Sequence, residues 1–195
     1  LSYHLAVSTH QGEELLLAKA STETLRGQLL VVIPRHPQRG ASIARSLKQH
    51  GFSVALRSEQ QTVDGGIDVY IADTAGEVSD FCAHASWVFV GGSLVDHGGH
   101  NVFEPAIWGK AIFIGPHAQN FSEEVAYLKS RDAIVQVRDL NELSIQWRDI
   151  RENGTLREKL EGAVRAAYQH LPDHEAEYIG LLKTALNRHH KSAHR

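Results

Sequence analysis

Residues 90–106 read VGGSLVDHGGHNVFEPA, and this stretch decides how the rest of the chain is interpreted. An apolar run, Trp87 to Val90, leads into two Gly-Gly pairs, and the pattern turns helical from Asn101. A strand, a glycine-rich loop and a helix start commonly present backbone N–H groups to an anion. Four glycines would also suit a plain turn. The many polar side chains beside one helix start favour an anion site.

Strands and helices alternate on both sides of this stretch. Such alternation predicts an α/β fold, a doubly wound parallel sheet with helices on both faces and right-handed crossovers. Gly51 should end one helix, and Asn120 or Ser122 should cap another. Predicted strands cover residues 1–7, 29–33, 52–56, 67–72, 87–90, 111–114 and 133–137, and predicted helices cover 15–25, 41–50, 76–85, 101–108, 121–129, 140–152, 155–171 and 173–188.

Ligands of doubly wound sheets bind beyond the carboxyl ends of the strands. At that edge we expect the loops 8–13, 34–39, 73–77, 91–104 and 115–121. Arg35 suits bidentate binding of phosphate or carboxylate, although an ordinary surface loop would carry it too. Glu104 either complements the helix dipole or accepts two ribose hydroxyls. Asn101 is a favourable N-cap residue.

Composition narrows the class of protein. The 195 residues carry a net charge of −3, so overall charge gives no reason to expect nucleic-acid binding. Cys82 stands alone, which suits a reducing compartment. The G-x-G-x-x-G fingerprint is missing, so no nicotinamide or flavin cofactor is expected. His97 and His100 have metal-like spacing but only Asp96 as a further ligand, so no metal is expected.

The chain contains no methionine. A complete translated chain normally begins with one, and the apolar start reads like the middle of a strand. We therefore expect a fragment of a longer protein, which would carry only part of a function.

Four segments in order resemble the C-terminal half of the bacterial 3-deoxy-D-manno-octulosonic acid (Kdo) transferases. They are STHQGEE at 8–14, PRHP at 34–37, GGSL, GGHN and EPA within 91–106, and GPH with NF within 115–121. The resemblance implies one Rossmann-like half of a GT-B glycosyltransferase. Residues 1–170 would be the nucleotide-sugar-binding domain, and 171–195 a helix and basic tail that face a missing N-terminal domain.

The resemblance also implies a donor site. Ser8 and Thr9 would line it, with Ser93 in the same set, and Glu104 would take the ribose hydroxyls. Arg35 would hold the CMP phosphate. The segment that would share this task comprises Gly98, Gly99, His100 and Asn101. One departure is visible, because the family commonly has a basic residue before the second Gly-Gly and this chain has Asp96-His97.

The remaining implications concern partners. The donor would be CMP-Kdo, without a cofactor. The general base, the membrane anchor and the contacts to the lipid A precursor would belong to the missing domain, at the cytoplasmic face of the bacterial inner membrane. The fragment itself would be soluble and inactive. Two alternatives stay open: a UDP-sugar GT-B enzyme, such as an epimerase or hexosyltransferase, and a non-catalytic Rossmann-like interaction domain. A metal hydrolase built on His97 and His100 is a more distant one.

Overall fold

The computed structural model describes residues 2–25 and 27–171, and strands alternate with helices throughout. The strands are β1 (Tyr3–Thr9), β2 (Leu29–Pro34), β3 (Val54–Leu56), β4 (Val69–Ile71), β5 (Val88–Val90), β6 (Ile112–Ile114) and β7 (Val135–Gln136). The helices are α1 (Glu13–Thr24), α2 (Gly40–Gln49), α3 (Val78–His84), α4 (Phe103–Ala106), α5 (Ser122–Lys129), α6 (Leu140–Glu152) and α7 (Gly154–Gln169).

All seven strands join one parallel sheet in the order β3-β4-β2-β1-β5-β6-β7. The chain runs outward from β1 to one edge and then returns to build the other half from β5. The strand order therefore reverses between β1 and β5, which is where doubly wound sheets bind ligands. The predicted fold class is confirmed.

Helices cover both faces of the sheet because alternate strand residues point to opposite sides. Leu5 and Val7 of β1 belong to the core on the side of α3, α5 and α7. Ala6 belongs to the other core, with α1, α2 and α6, which includes the buried Trp147. All six residues of β2 are buried, which explains why that strand reads as a continuous apolar run.

Gly51 ends its helix as predicted. Its backbone has φ 88°, and the Phe52 N–H donates to the Leu47 carbonyl at 3.1 Å, as in a Schellman motif. The predicted capping of α5 is wrong, since α5 has no side-chain cap. The Asn120 side chain donates instead to the His97 carbonyl at 3.1 Å, so it serves a loop contact.

The helix predicted at 101–108 is a single turn, Phe103–Ala106. The N-cap residue of α4 is Val102, without a side-chain capping bond, so the prediction of Asn101 as N-cap is wrong. The Asn101 carboxamide accepts the Phe103 N–H at 2.9 Å in the turn before the helix. The predicted helix at 173–188 and the basic tail lie outside the described residues. Within the described ranges, none of the helices combines the length and the apolar character that a bilayer crossing requires.

Candidate functional site

The ends of β1 and β5 touch at the point where the strand order reverses. A Cβ placed on Gly91 would lie 2.7 Å from both the Ser8 carbonyl oxygen and the Thr9 Cα. Ser8 has a left-handed backbone (φ 55°), at an irregularity in the pairing of β1 with β2. The close approach requires glycine at 91, and it sets the β1–α1 loop against the glycine-rich loop predicted to bind an anion.

The first half of that loop is already occupied by a carboxylate of the protein. Glu13 is fully buried, and its Oε2 accepts the N–H of His10 at 2.9 Å and of Gly92 at 2.7 Å. Its Oε1 accepts the N–H of Ser93 at 3.0 Å and of Leu94 at 2.9 Å. Glu13 therefore uses the donors that the sequence offered to a ligand.

Ser93, a predicted donor-site residue, is fully buried. Its hydroxyl donates to the Val90 carbonyl at 2.6 Å and accepts the Gly115 N–H at 2.8 Å. The Ser93 carbonyl accepts the His117 N–H at 3.0 Å. The residue thus joins the loops that follow β5 and β6 and leaves no hydroxyl surface toward a ligand.

The second Gly-Gly pair lies against the loop after β6. Gly98 and Gly99 have φ of 88° and 78°, and a Cβ on Gly98 would fall 2.2 Å from the Asn120 Nδ2. The Gly99 N–H donates to the Gly92 carbonyl at 2.8 Å. By contrast, the N–H groups of Gly98, His100 and Asn101 make no hydrogen bond with any residue that the structure describes. These three donors remain for a ligand.

Imidazole rings gather over the glycine loop. The Nε2 atoms of His10 and His100 are 2.7 Å apart, and the two rings are parallel within 6°. His97 stacks on His10 with ring centroids 3.7 Å apart, and His36 meets the His10 ring edge at 6.2 Å. Gly92 lies beneath them, since a Cβ there would be 3.1 Å from the His100 ring. We call His10, His97 and His100 the imidazole cluster.

Burial is the main cause of the lowered pKa values of His10 and His100. The pKa of His10 falls to about 4, because burial and then the neighbouring His97 and His100 disfavour its charged form. Burial, followed by the charges of Arg35 and His97, also lowers the pKa of His100. At neutral pH both rings are therefore neutral, and one of the two facing Nε2 atoms donates to the other.

Arg35, His100 and Glu104 come together at the same edge, although they belong to separate segments of the sequence. The exposed Arg35 guanidinium acts electrostatically on both His100 and Glu104. Burial raises the pKa of Glu104, and Arg35 partly offsets that effect. Arg35, His100 and the half-buried Glu104 are therefore neighbours at this edge, and the unused N–H groups of residues 98, 100 and 101 belong to the loop that carries His100.

Thr9 is buried and acts as a connector. Its hydroxyl donates to Glu14 Oε1 at 3.0 Å, and its carbonyl accepts the Arg35 N–H at 3.1 Å and the Arg39 Nη1 at 3.1 Å. Arg39 Nη2 in turn lies 2.9 Å from the Glu14 carboxylate. This network fixes the 34–39 segment beside β1. A cavity of about 510 Å³ lies between the first turn of α1 and the face of α2 from Ser42 to Leu47, with Arg39 and Glu14 in its lining.

The structure therefore divides the predicted site residues. Arg35 lies near His100 and Glu104 at the sheet edge, and Gly98, His100 and Asn101 carry unused N–H groups. Gly99 shapes the loop there, and Ser8, Thr9 and Ser93 hold the strand ends together. The sequence placed the loops of His10, Glu13 and Arg39 at this edge but indicated no role for these three side chains. Two features of the sequence could have indicated such roles: the acidic pair Glu13-Glu14 after Gly12, and His10 before it.

Asp96 points away from this position. Its carboxylate accepts from Gln119 Nε2 at 2.9 Å and lies 3.5 Å from the His117 Nδ1. Across residues 2–25 and 27–171, no three His, Cys, Asp or Glu side chains are arranged to hold a metal ion. The described geometry thus provides anion donors and a carboxylate acceptor around the edge.

A seven-stranded doubly wound sheet with this edge site defines a Rossmann-like domain of the GT-B glycosyltransferase kind. The spinosyn rhamnosyltransferase SpnG has the same fold, with a TM-score of 0.52 and 12% identity over 86% of this chain and 41% of its own. No protein-family model matches the chain.

The chain belongs to the Kdo transferase family and corresponds to the C-terminal domain. It is 34% identical over 136 residues to the 3-deoxy-D-manno-octulosonic acid transferase of Haemophilus influenzae, which covers 68% of this chain and 32% of that protein. The transferase of Bordetella pertussis is 36% identical over 134 residues, covering 65% and 30%. The chain thus spans about a third of the length of these curated relatives.

A solved structure agrees with the sequence comparison. The C-terminal CMP-Kdo binding domain of WaaA from Acinetobacter baumannii has a TM-score of 0.82 and 26% identity, covering 87% of this chain and 90% of that domain. The resemblance stated from the sequence is confirmed.

Proposed function

We propose that this chain is the donor-binding domain of a transferase that moves Kdo from CMP-Kdo to the lipid A precursor in lipopolysaccharide biosynthesis. The observation that carries the proposal is the match to nine-tenths of a CMP-Kdo binding domain, and it is supported by the electrostatic effect of Arg35 on both His100 and Glu104 at the sheet edge. The role of each residue follows from its chemistry.

The phosphate of CMP would bind where the unused N–H groups of Gly98, His100 and Asn101 lie close to Arg35. Backbone N–H groups and a guanidinium are the usual protein ligands of phosphate. When the bond to the sugar breaks, negative charge develops on the departing CMP. Fixed donors at that place stabilise the transition state because they need no reorganisation. These groups act without a metal ion or other cofactor.

Glu104 would bind the ribose. An ionised carboxylate accepts two hydroxyl hydrogen bonds, as acidic residues do in other nucleotide sites. Burial disfavours the ionised form of Glu104, and the nearby Arg35 favours it. Arg35 would thus serve twice, since it attracts the phosphate and keeps the ribose ligand charged.

The rest of the reaction we assign to a separate N-terminal domain, because the chain spans about a third of its curated relatives. That domain would contribute the general base that activates the acceptor hydroxyl, the contacts to the lipid A precursor and the anchor at the cytoplasmic face of the inner membrane. The chain alone would bind CMP weakly and transfer no sugar.

Titration calorimetry with CMP, and competition by UDP, tests this proposal. We expect millimolar or tighter CMP binding that UDP displaces poorly and that Arg35→Ala and Glu104→Ala each weaken at least tenfold. Preference for UDP would favour a UDP-sugar epimerase or hexosyltransferase. Absence of binding to either nucleotide, with an intact fold, would favour a non-catalytic interaction domain.

A further inference from the structure

We propose that the imidazole cluster takes up a proton when the anionic donor binds, so that His10, His97 and His100 supply positive charge to this edge in the liganded state. This inference rests on the proposed function and adds its dependence on pH.

The facing Nε2 atoms of His10 and His100 are 2.7 Å apart, so one ring donates to the other and the protonation of each ring depends on that of its partner. His97 packs against His10 with ring centroids 3.7 Å apart. A positive charge on one ring of this cluster is therefore felt by its neighbours.

The surrounding charges are mostly positive. Arg39 and His36 face His10, whereas Arg35 and His36 face His100. Glu13 lies beside His10, but its carboxylate is used by four backbone N–H groups, one of them that of His10. This arrangement disfavours any added proton while the site is without an anion.

The nearby acids pair elsewhere. Glu14 binds Arg39, and Asp96 lies against His117 and Gln119. In the part of the chain that the structure describes, no carboxylate forms an ion pair with a ring of the imidazole cluster. A bound phosphate would supply the counter-charge that the protein itself does not.

The direction of the effect follows from linkage. The pKa of His10 is about 4 and that of His100 is lowered, so both rings are neutral at pH 7 without ligand. An anion within a few ångströms raises an imidazole pKa. Affinity should then fall as the pH rises through the raised pKa, by at most about tenfold per pH unit for each proton taken up.

Calorimetry at pH 7.4 in buffers of different ionisation enthalpy, HEPES and Tris, measures this uptake with CMP as the probe. We expect uptake of a fraction of a proton, up to one, for each CMP bound. His100→Gln and His97→Gln should each reduce it by at least half. Because His97 is exposed, its variant preserves the fold if the His100 variant does not. His84→Gln, at the end of α3, is the matched control and should leave the uptake unchanged.

The outcomes separate the two proposals. CMP binding without proton uptake, or uptake that both variants leave unchanged, overturns the proton coupling and leaves the donor-binding role intact. A folded chain that binds no CMP between pH 6 and 8 overturns the donor-binding role and this inference together. Phosphorus NMR of bound CMP completes the test, since a shift to the monoanion would place the proton on the phosphate and contradict the role of the imidazole cluster.

Discussion

Glu13 and Gly92 are 79 residues apart in sequence, yet the Gly92 N–H donates to the Glu13 carboxylate at 2.7 Å inside the protein. The same carboxylate accepts the next two N–H groups of the glycine-rich loop. The first turn of α1 therefore holds the loop after β5 in place. The segment 98–101, which we propose to bind the donor, follows this anchored part of the loop.

We predict that Glu13→Gln destabilises the fold by about 3–5 kcal/mol, since a buried charged acceptor is lost and the new amide N–H₂ faces backbone donors. Urea unfolding measures the change. Glu23→Gln, on an exposed position of the same helix, should stay within about 0.5 kcal/mol of the wild type. A Glu13→Gln protein as stable as the Glu23→Gln protein would mean that the anchor contributes nothing.

Gly91 should not tolerate a methyl group. Its Cβ would meet backbone atoms of Ser8 and Thr9 at 2.7 Å, so Gly91→Ala should cost about 1–3 kcal/mol or more through overpacking. Gly162 lies within α7 in open space, so Gly162→Ala should gain about 0.8–1.0 kcal/mol from helix propensity. Thermal unfolding of both variants provides the comparison. A neutral or stabilising Gly91→Ala would contradict the close approach of β1 and β5.

His4 should make the fold sensitive to acid. It is fully buried between Trp87 and Trp147, and burial lowers its pKa to about 3 from the ordinary 6.5. The folded state thus favours neutral His4, and the unfolded state takes up a proton below pH 6.5. This contribution to stability is complete above pH 6.5 and is lost as the pH falls toward 3.

Between pH 7.5 and 4.5 the loss due to His4 should be about 2.5 kcal/mol. His4→Phe keeps an aromatic ring and removes the titration, so its stability should decline less over that range by about this amount. Urea unfolding at several pH values gives both curves, with the exposed His50→Gln as control. Parallel curves for the wild type and His4→Phe would show that His4 is not responsible.

Cys82 should be unreactive in the folded protein. It is fully buried in α3, and burial raises the pKa of its thiol well above the ordinary value. Only the thiolate reacts with disulfide reagents. We expect labelling by such a reagent to be at least a hundredfold slower than in 6 M guanidinium chloride. Comparable rates in both conditions would contradict the burial of α3 against the sheet.

Local patterns were sufficient to predict the fold. β2 could be predicted because its apolar run is buried on both faces, and the end of α2 could be predicted because Gly51 adopts a conformation that other residues disfavour. The length of α4 was overestimated, because the apolar sequence pattern continues past its single turn into the irregular turn before Gly109. Local sequence signals do not locate that boundary.

The candidate site was only partly predictable, because tertiary contacts decide how each polar group is used. The sequence offers Ser93 and the N–H of Gly92 as ligand donors, but the structure pairs them with Gly115 and Glu13. Asn120 is a residue type that favours helix caps, but its side chain donates to the His97 carbonyl instead. No local pattern indicates partners that are 20 or more residues away.

Donor binding is the central claim, and a nitrogen–proton correlation NMR titration of the chain with CMP tests it most directly. We predict saturable shifts in the backbone amides of Arg35, Glu104 and residues 98, 100 and 101. The Gly92 and Leu94 amides, which are bonded to Glu13, should shift far less. No shift at millimolar CMP, or shifts confined to another face of the protein, would contradict the assignment of this sheet edge as the donor site.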